Sequence, residues 1–200
     1  MPETIRDAFT IDGEHSRDLD DAIRVTRMGA GWDVLVCIAD VAGTVLDGSP
    51  DDLRAREMVA TKYRASGNSP MLPRELSEDS LSLLQFRKRY VVAIEMALDA
   101  SLDVTRTTLS LRRMKSAARL TYADVPSILA AEAHALHAHV TAAADLAMLL
   151  LAKRRNAGAL ALYDLNNGWV TTEEGAMRRL EPHEANVGYI VVQEVMVLAN

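Results

Sequence analysis

Four aspartates fall within ten residues of this chain, in the run Asp12-Gly13-Glu14-His15-Ser16-Arg17-Asp18-Leu19-Asp20-Asp21. The flanking stretches, 8–11 (Ala-Phe-Thr-Ile) and 22–25 (Ala-Ile-Arg-Val), are apolar and strand-like. Aspartate is a poor strand residue, and packed carboxylates repel one another, so a fold that gathers these four needs a counter-charge. A hard divalent cation with oxygen ligands supplies one. If 18–21 is extended, Asp18 and Asp20 share one face and Asp21 takes the other. Asp12 then returns to the cluster across a turn at 13–16, where Gly13 allows unusual backbone angles. The carboxylates are too few for a closed cage, which favours Mg²⁺ or Mn²⁺ with open positions over structural Ca²⁺. An EF-hand is excluded, because Arg17 stands where its glycine is needed and Ile23 where its bidentate glutamate is needed. The competing reading is a solvated acidic turn. On the carboxylates alone the two stand level.

The 200 residues, 49% of them apolar, suffice for one domain with a substantial core. No apolar run reaches the length of a bilayer span, and residues 1–7 lack the order of a signal peptide. Cys37, the one cysteine, lies in an apolar stretch and reads as a buried, inert thiol. These features imply a cytoplasmic protein without a membrane partner. The net charge of −6 argues against a general nucleic-acid surface. The basic residues are bunched, however, at Arg87-Lys88-Arg89, Arg112-Arg113 with Lys115, Lys153-Arg154-Arg155, and Arg178-Arg179. Any one such bunch is more often a solvated element end than a phosphate site.

Patterning predicts strands first and helices later. Strands at 22–27 and 32–39 form a hairpin. Ser49 caps a helix over 50–63, with Pro50 in its first turn, and 64–73 is a loop. Alternation from Tyr90 to Leu98 predicts a strand that returns into 104–113. Helices follow at 122–129 and 132–156, the second stopped by Gly158. A short hairpin is expected between 160–163 and 169–172, and a last helix over 184–200. His134 and His137 fall on the alanine-rich helix, without the acidic or cysteine partners of a zinc site, and read as a solvated face.

The aspartate run, opening as Thr10-Ile11-Asp12 and closing as Asp18-Leu19-Asp20-Asp21-Ala22, resembles the start of the ribonuclease II/R (RNB) catalytic domain. The resemblance continues through Ile38-Ala39-Asp40-Val41, Gly48-Ser49-Pro50-Asp51-Asp52, and Tyr63 followed by Pro70-Met71-Leu72-Pro73. It goes on through Leu76-Ser77, Ser82-Leu83, Ser116-Ala117-Ala118-Arg119-Leu120-Thr121-Tyr122, and the closing Gln193-Glu194-Val195-Met196-Val197-Leu198-Ala199-Asn200. It implies an α+β fold, a curved and mostly antiparallel sheet flanked by helices. The implied function is a Mg²⁺-dependent 3′→5′ exoribonuclease that hydrolyses single-stranded RNA to nucleoside 5′-monophosphates.

Carried over by match, Asp12, Asp18, Asp20 and Asp21 would hold the metal, with Asp20 the carboxylate most critical to hydrolysis. Tyr63 matches a tyrosine that stacks on a terminal base, and Leu162 or Tyr163 lies where a second clamping aromatic often stands. Arg119, Tyr122, Gln193 and Glu194 fall in motifs near RNA, with folding roles equally open to Arg119 and Tyr122. Two departures matter. Gln193 replaces a family glutamate, and the chain stops at Asn200, before the family's T-S-P-I-R-R-Y segment, without cold-shock or S1 modules. The domain is therefore expected to be truncated at its C-terminus. Ile190, Val191, Met196, Val197 and Leu198 are expected to be left bare and covered by self-association or by a second polypeptide supplying the missing half. The competing functions are a catalytically impaired remnant that binds RNA or protein, and a half-domain completed by another chain.

Overall fold

A computed structural model describes residues 3–62, 68–160, 169–171, 175–179 and 187–200. Its centre is a four-stranded antiparallel sheet in the order β2-β3-β4-β5, formed by β2 (Asp21–Met28), β3 (Gly31–Ala39), β4 (Lys88–Leu98) and β5 (Val104–Lys115). The hairpin register pairs Asp21 with Ile38 and Met28 with Gly31. Gly31 has no room for a side chain, since a Cβ there would lie 2.2 Å from the Leu98 carbonyl oxygen. The predicted α+β class and antiparallel sheet are what the chain adopts.

β3 explains the two-layered core. Its run Val34-Leu35-Val36-Cys37 is buried residue after residue, as in a central strand covered on both faces. Val34 and Val36 join Phe9, Ile23 and Val25 under α3 (His137–Asn156) and α4 (Val187–Ala199). Leu35 and Cys37 face the other way, with Leu19, Leu72, Leu83 and Met114. Truncating a leucine packed this fully costs about 2–5 kcal/mol. Burial pushes the Cys37 thiol up to about 12, against the pull of Arg24 and Arg112, so the cysteine is the inert one expected.

Local signals fared well where the chemistry is local. Ser49 Oγ accepts from Asp52 N at 3.3 Å, and Asp52 Oδ2 accepts in return from Gly48 N at 2.8 Å, a reciprocal cap on α1 (Pro50–Met58). That helix ends at Val59, which has a φ of 67°, four residues before the expected 63. Gly158, with φ 87°, closes α3 as predicted, and Ala159 N bonds back to Arg154 O at 3.0 Å.

Elsewhere the structure corrects the reading. α3 begins at His137 rather than 132, following α2 (Asp124–Ala130), because the intervening turn is held by histidines. His134 Nδ1 accepts from Leu136 N at 3.1 Å, and His137 Nδ1 lies 3.0 Å from Ile128 O. The hairpin expected between 160–163 and 169–172 lies largely outside the described residues; within them, β7 (Trp169–Thr171) pairs with β8 (Met177–Arg179). Most of the face expected to be bare on α4 is covered: Ile190 and Val191 are fully buried, as is Val195; Met196 and Leu198 pack at the core margin; and Val197 alone of the expected set is exposed, at 44%. The partner they lacked in the sequence is α3 of the same chain. Large exposed aliphatic residues stand on β5 instead, where Leu109 and Leu111 are 67% and 66% exposed. Among the described residues no helix is long and apolar enough to cross a membrane.

Candidate active site

The acidic run is built into the sheet margin at three points. Asp12 ends β1 (Thr10–Asp12), which pairs in parallel with β6 (Arg119–Thr121), so that Asp12 lies opposite Thr121. Tyr122 N donates to Asp12 O at 3.1 Å, extending that pairing one residue. Gly13 N donates to Asp12 Oδ1 at 2.6 Å and Ser16 N to Gly13 O at 3.2 Å, closing the turn expected at 13–16.

Arg119 locks this turn. Its Nη2 donates to the carbonyls of Gly13 (3.2 Å), Glu14 (2.6 Å) and Ser16 (3.0 Å). Charge-assisted bonds of this kind are stronger than neutral ones. The arginine thus positions the loop that carries Asp12.

The second half, 17–21, is pinned from the opposite side. Leu19 is 1% exposed, and Leu83 N donates to its carbonyl at 2.8 Å. The buried Ser82 Oγ donates to Arg17 O at 2.6 Å and accepts from Leu19 N at 3.1 Å. Ala39 N donates to Asp20 O at 2.9 Å. With Leu19 driven into the core, Asp18 and Asp20 are left on the outward side, as the alternation of an extended segment requires. Arg89 in turn holds the 79–82 segment through Ser82 O (3.0 Å) and Asp79 O (2.9 Å). Neither Ser82 nor Arg89 carried a role in the sequence, because both act on partners distant in the chain.

Asp12, Asp18, Asp20 and Asp21 all line one cavity of about 840 Å³, together with Thr61, Asn68, Arg74 and Ser77. Burial raises Asp20 to about 6, aided by the charges of Asp18 and Asp12. Burial likewise raises Asp21 to about 6, aided by Asp12 and Asp20. Asp20 still meets solvent at the cavity mouth, so desolvation bears more firmly on Asp21. Among the described residues no three acidic, histidine or cysteine side chains enclose a ready-made metal cage. The donor set is all hard oxygen and mutually repelling, which fits a cation such as Mg²⁺ that keeps water and substrate oxygens as its remaining ligands. Asp12, with Oδ1 engaged by Gly13, has Oδ2 to offer.

The remaining candidates are dispersed. Tyr63, Leu162 and Tyr163 lie outside the described residues. Tyr122 stacks on Tyr189 of α4, ring centroids 3.9 Å apart and planes 17° from parallel. That contact fixes α4 against β6, aided by Gly188, where a Cβ would come within 3.0 Å of the Tyr122 carbonyl oxygen. Glu194, expected near RNA, is 1% exposed and accepts from Arg154 Nε and Nη2, both at 2.8 Å. Gln193 Nε2 donates to the same carboxylate at 2.8 Å. The expectation of RNA contact at Glu194 is therefore corrected. This carboxylate ties α4 to α3, and the Gln193 amide serves the same network.

Comparison with known proteins places the chain in a family. The RNB domain family profile matches residues 4–200. Ribonuclease R of Escherichia coli is 32% identical over 198 residues, covering 96% of this chain and 24% of that protein. Exoribonuclease 2 of Aeromonas hydrophila is 37% identical over 118 residues, covering 58% of this chain and 18% of that protein. The chain therefore spans a quarter or less of the length of these relatives. Mycoplasma genitalium RNase R in complex with ribose-methylated single-stranded RNA superposes with a TM-score of 0.83 at 28% identity, covering 98% of this chain and 32% of that one. An Asp-lined cavity set on a four-stranded sheet, a profile match over nearly every residue and this superposition agree: the chain belongs to the RNB domain family.

Proposed function

We propose that the acidic cavity is the hydrolytic site of a Mg²⁺-dependent 3′→5′ exoribonuclease acting on single-stranded RNA in the cytoplasm, with Mn²⁺ able to substitute. The observation that supports this reading is the gathering of Asp12, Asp18, Asp20 and Asp21 on one cavity, two of them with carboxyls raised to about 6. Carboxylates gathered this closely repel one another and attract a cation.

In this reading Asp12, Asp18 and Asp21 hold the ion and Asp20 faces the scissile phosphate. A bound divalent ion supplies polarisation of a phosphoryl oxygen and acidification of a water. At neutral pH an Asp20 with a pKa of about 6 is mostly ionised, yet more basic than an ordinary aspartate. Its carboxylate oxygens are suited to accept a proton from attacking water. Arg119 and Ser82 act indirectly, holding the two halves of the acidic loop. Thr61, Asn68 and Ser77 on the cavity wall offer neutral hydrogen-bonding groups to sugar or phosphate. Tyr63 is proposed to stack a terminal base, since an aromatic face grips any base, with Tyr163 as a second ring or Leu162 as an apolar contact. Release of nucleoside 5′-monophosphates from the 3′ end rests on membership of the family.

Digestion of 5′-labelled single-stranded RNA, with Mg²⁺ and with chelator, tests the proposal. Stepwise shortening that needs the metal and disappears in Asp20→Asn is the expected result. RNA retention without shortening under every metal condition would replace it with the binding-module reading. Activity restored only by adding a second polypeptide would show that this chain holds part of the site.

A further inference from the structure

A second surface, separate from the aspartate cavity, combines aromatic rings with cations. The β4–β5 register sets Lys88 directly opposite Lys115 and Tyr90 directly opposite Arg113. Like charges placed face to face across a ladder disfavour the sheet, so this pairing is retained against a local cost. Three carboxylates on the neighbouring segments hold partners of their own: Asp79 takes Arg89 at 3.2 Å, Glu95 stands 3.8 Å from Arg112, and Asp40 Oδ1 accepts from Gly43 N at 3.0 Å.

Two aromatic side chains stand out beside these cations. The chain has only nine aromatic residues (two Trp, five Tyr, two Phe), yet Tyr90 is 66% exposed and Phe86 is 63% exposed. Lys115 Nζ lies 5.6 Å from the centre of the Phe86 ring. Phe86 also has a φ of 63°, a conformation a bulky side chain rarely takes, fixed by its N–H to Ser116 O at 3.0 Å. A cavity of about 410 Å³ opens alongside, lined by Arg87, Lys88, Arg89 and Tyr90, with Asp40 and Asp79 at its border.

We infer that this shelf, Phe86, Arg87, Lys88 and Tyr90 with Arg113 and Lys115, is a second subsite for single-stranded nucleic acid. The rings stack bases while the cations meet the phosphates. The chemistry needed for sequence-tolerant single-strand binding is the combination present here, exposed π-faces set among positive charges. A protein segment docking on the shelf would have its own charges to match against Lys88 and Lys115, and it draws no support from the solvent-facing rings.

The position favours a strand that also reaches the cavity. Tyr90 O accepts from Asp40 N, and the next residue, Ala39, donates to Asp20 O. Tyr90 therefore lies two chain spacings from Asp20, roughly 10 Å at about 4.8 Å each. The 75–80 turn forms a shared wall, with Ser77 and Glu78 on the cavity side and Asp79 and Ser80 on the shelf side.

The inference rests on the RNA reading of the cavity, and the test separates the two. Binding of oligouridylates of about 4 and about 16 nucleotides, the span of known single-strand site sizes, is measured in chelator with the full chain. Lys88→Ala/Lys115→Ala should lower the slope of log affinity against log salt by about 1.4 for the long oligomer, two phosphate contacts at about 0.7 each. Tyr90→Ala should weaken the long oligomer about five- to hundred-fold, and Tyr90→Phe should restore it. Both variants should leave the short oligomer unchanged, and the double lysine variant should melt no lower than the parent. Long-oligomer binding that ignores all three variants overturns the shelf and leaves the cavity reading standing. Equal losses for both lengths would place the RNA in the cavity alone and also overturn it. Failure of the parent chain to bind either length overturns both.

Discussion

Carboxylates lose water in two regions of this molecule, wholly in one and partly in the other, and the two solve the resulting problem in opposite ways. At the α3–α4 contact, Glu194 is sealed from solvent with its counter-charge supplied internally, two 2.8 Å bonds from Arg154 and a third from Gln193. On the cavity wall, Asp20 and Asp21 have each other and Asp12 for company, and both carboxyls rise to about 6. A carboxylate that brings its own cation is cement. One that faces other carboxylates is a demand on the surroundings. The difference separates the proposed site from the α3–α4 contact more surely than acidity does, since both regions are acidic.

The comparison breaks most visibly at the sealed pair. Glu194→Ala should lower stability by about 3 kcal/mol, because Arg154 loses its partner in a half-buried place. Glu194→Leu combined with Arg154→Met should recover most of that loss, as an apolar pair of similar volume often does. Denaturant melts of the single and double variants measure both, and a double variant as weak as the single one would show that the charges themselves are needed. Asp20→Asn should do the reverse, sparing the fold while lowering RNA hydrolysis by about 10²–10³-fold. Parallel melting and turnover measurements separate the effects. A variant that unfolds would move Asp20 into the structural class.

A smaller effect concerns pH. Asp21 and Asp20 have folded pKa values near 6, above the ordinary 3.8. The metal-free folded state therefore binds protons more tightly than the unfolded one. Their stabilisation is complete below about 3.8 and is lost as pH rises through about 6. In chelator, the melting temperature should fall across that window. Asp21→Asn should flatten the fall and be more stable than the parent above pH 6, by about 1–3 kcal/mol. Millimolar Mn²⁺ should raise the parent and leave the variant nearly unmoved; indifference of the parent would remove the metal from the site. Smallest of all, Arg56→Ala should cost about 0–1 kcal/mol, because its pair with Asp52 is 62% exposed on the arginine side and solvent already screens it.

What could be read from the sequence was what nearest neighbours decide. The acidic loop with its turn at Gly13, the hairpin through 28–31, the Ser49 cap and the Gly158 stop all rest on residues within a few positions of each other. The strand-like stretch at 8–11 gives no sign of its pairing with β6, because each strand is three residues long and the pairing spans more than a hundred positions. Nothing in the sequence marks Glu194 as sealed in an ion pair, because its partner lies forty residues upstream in another helix. The apolar side of α4 looked bare for the same reason, when its cover was α3. Arg119 sat in a recognised motif, but nothing short of the fold could show three loop carbonyls converging on one guanidinium.

That convergence also fixes an order of events. The loop carrying Asp12 is closed by a residue more than a hundred positions later, and the segment carrying Asp18 and Asp20 is closed by Ser82 and Leu83. Contacts of such sequence separation form late, after the intervening sheet has paired. During synthesis, Asp12 emerges more than a hundred residues before Arg119, so the turn that carries it stays open until β6 has followed. A nascent chain that stops short of residue 119 therefore carries every acidic side chain of the site and the anchors of 17–21, but not the guanidinium that closes the turn behind Asp12.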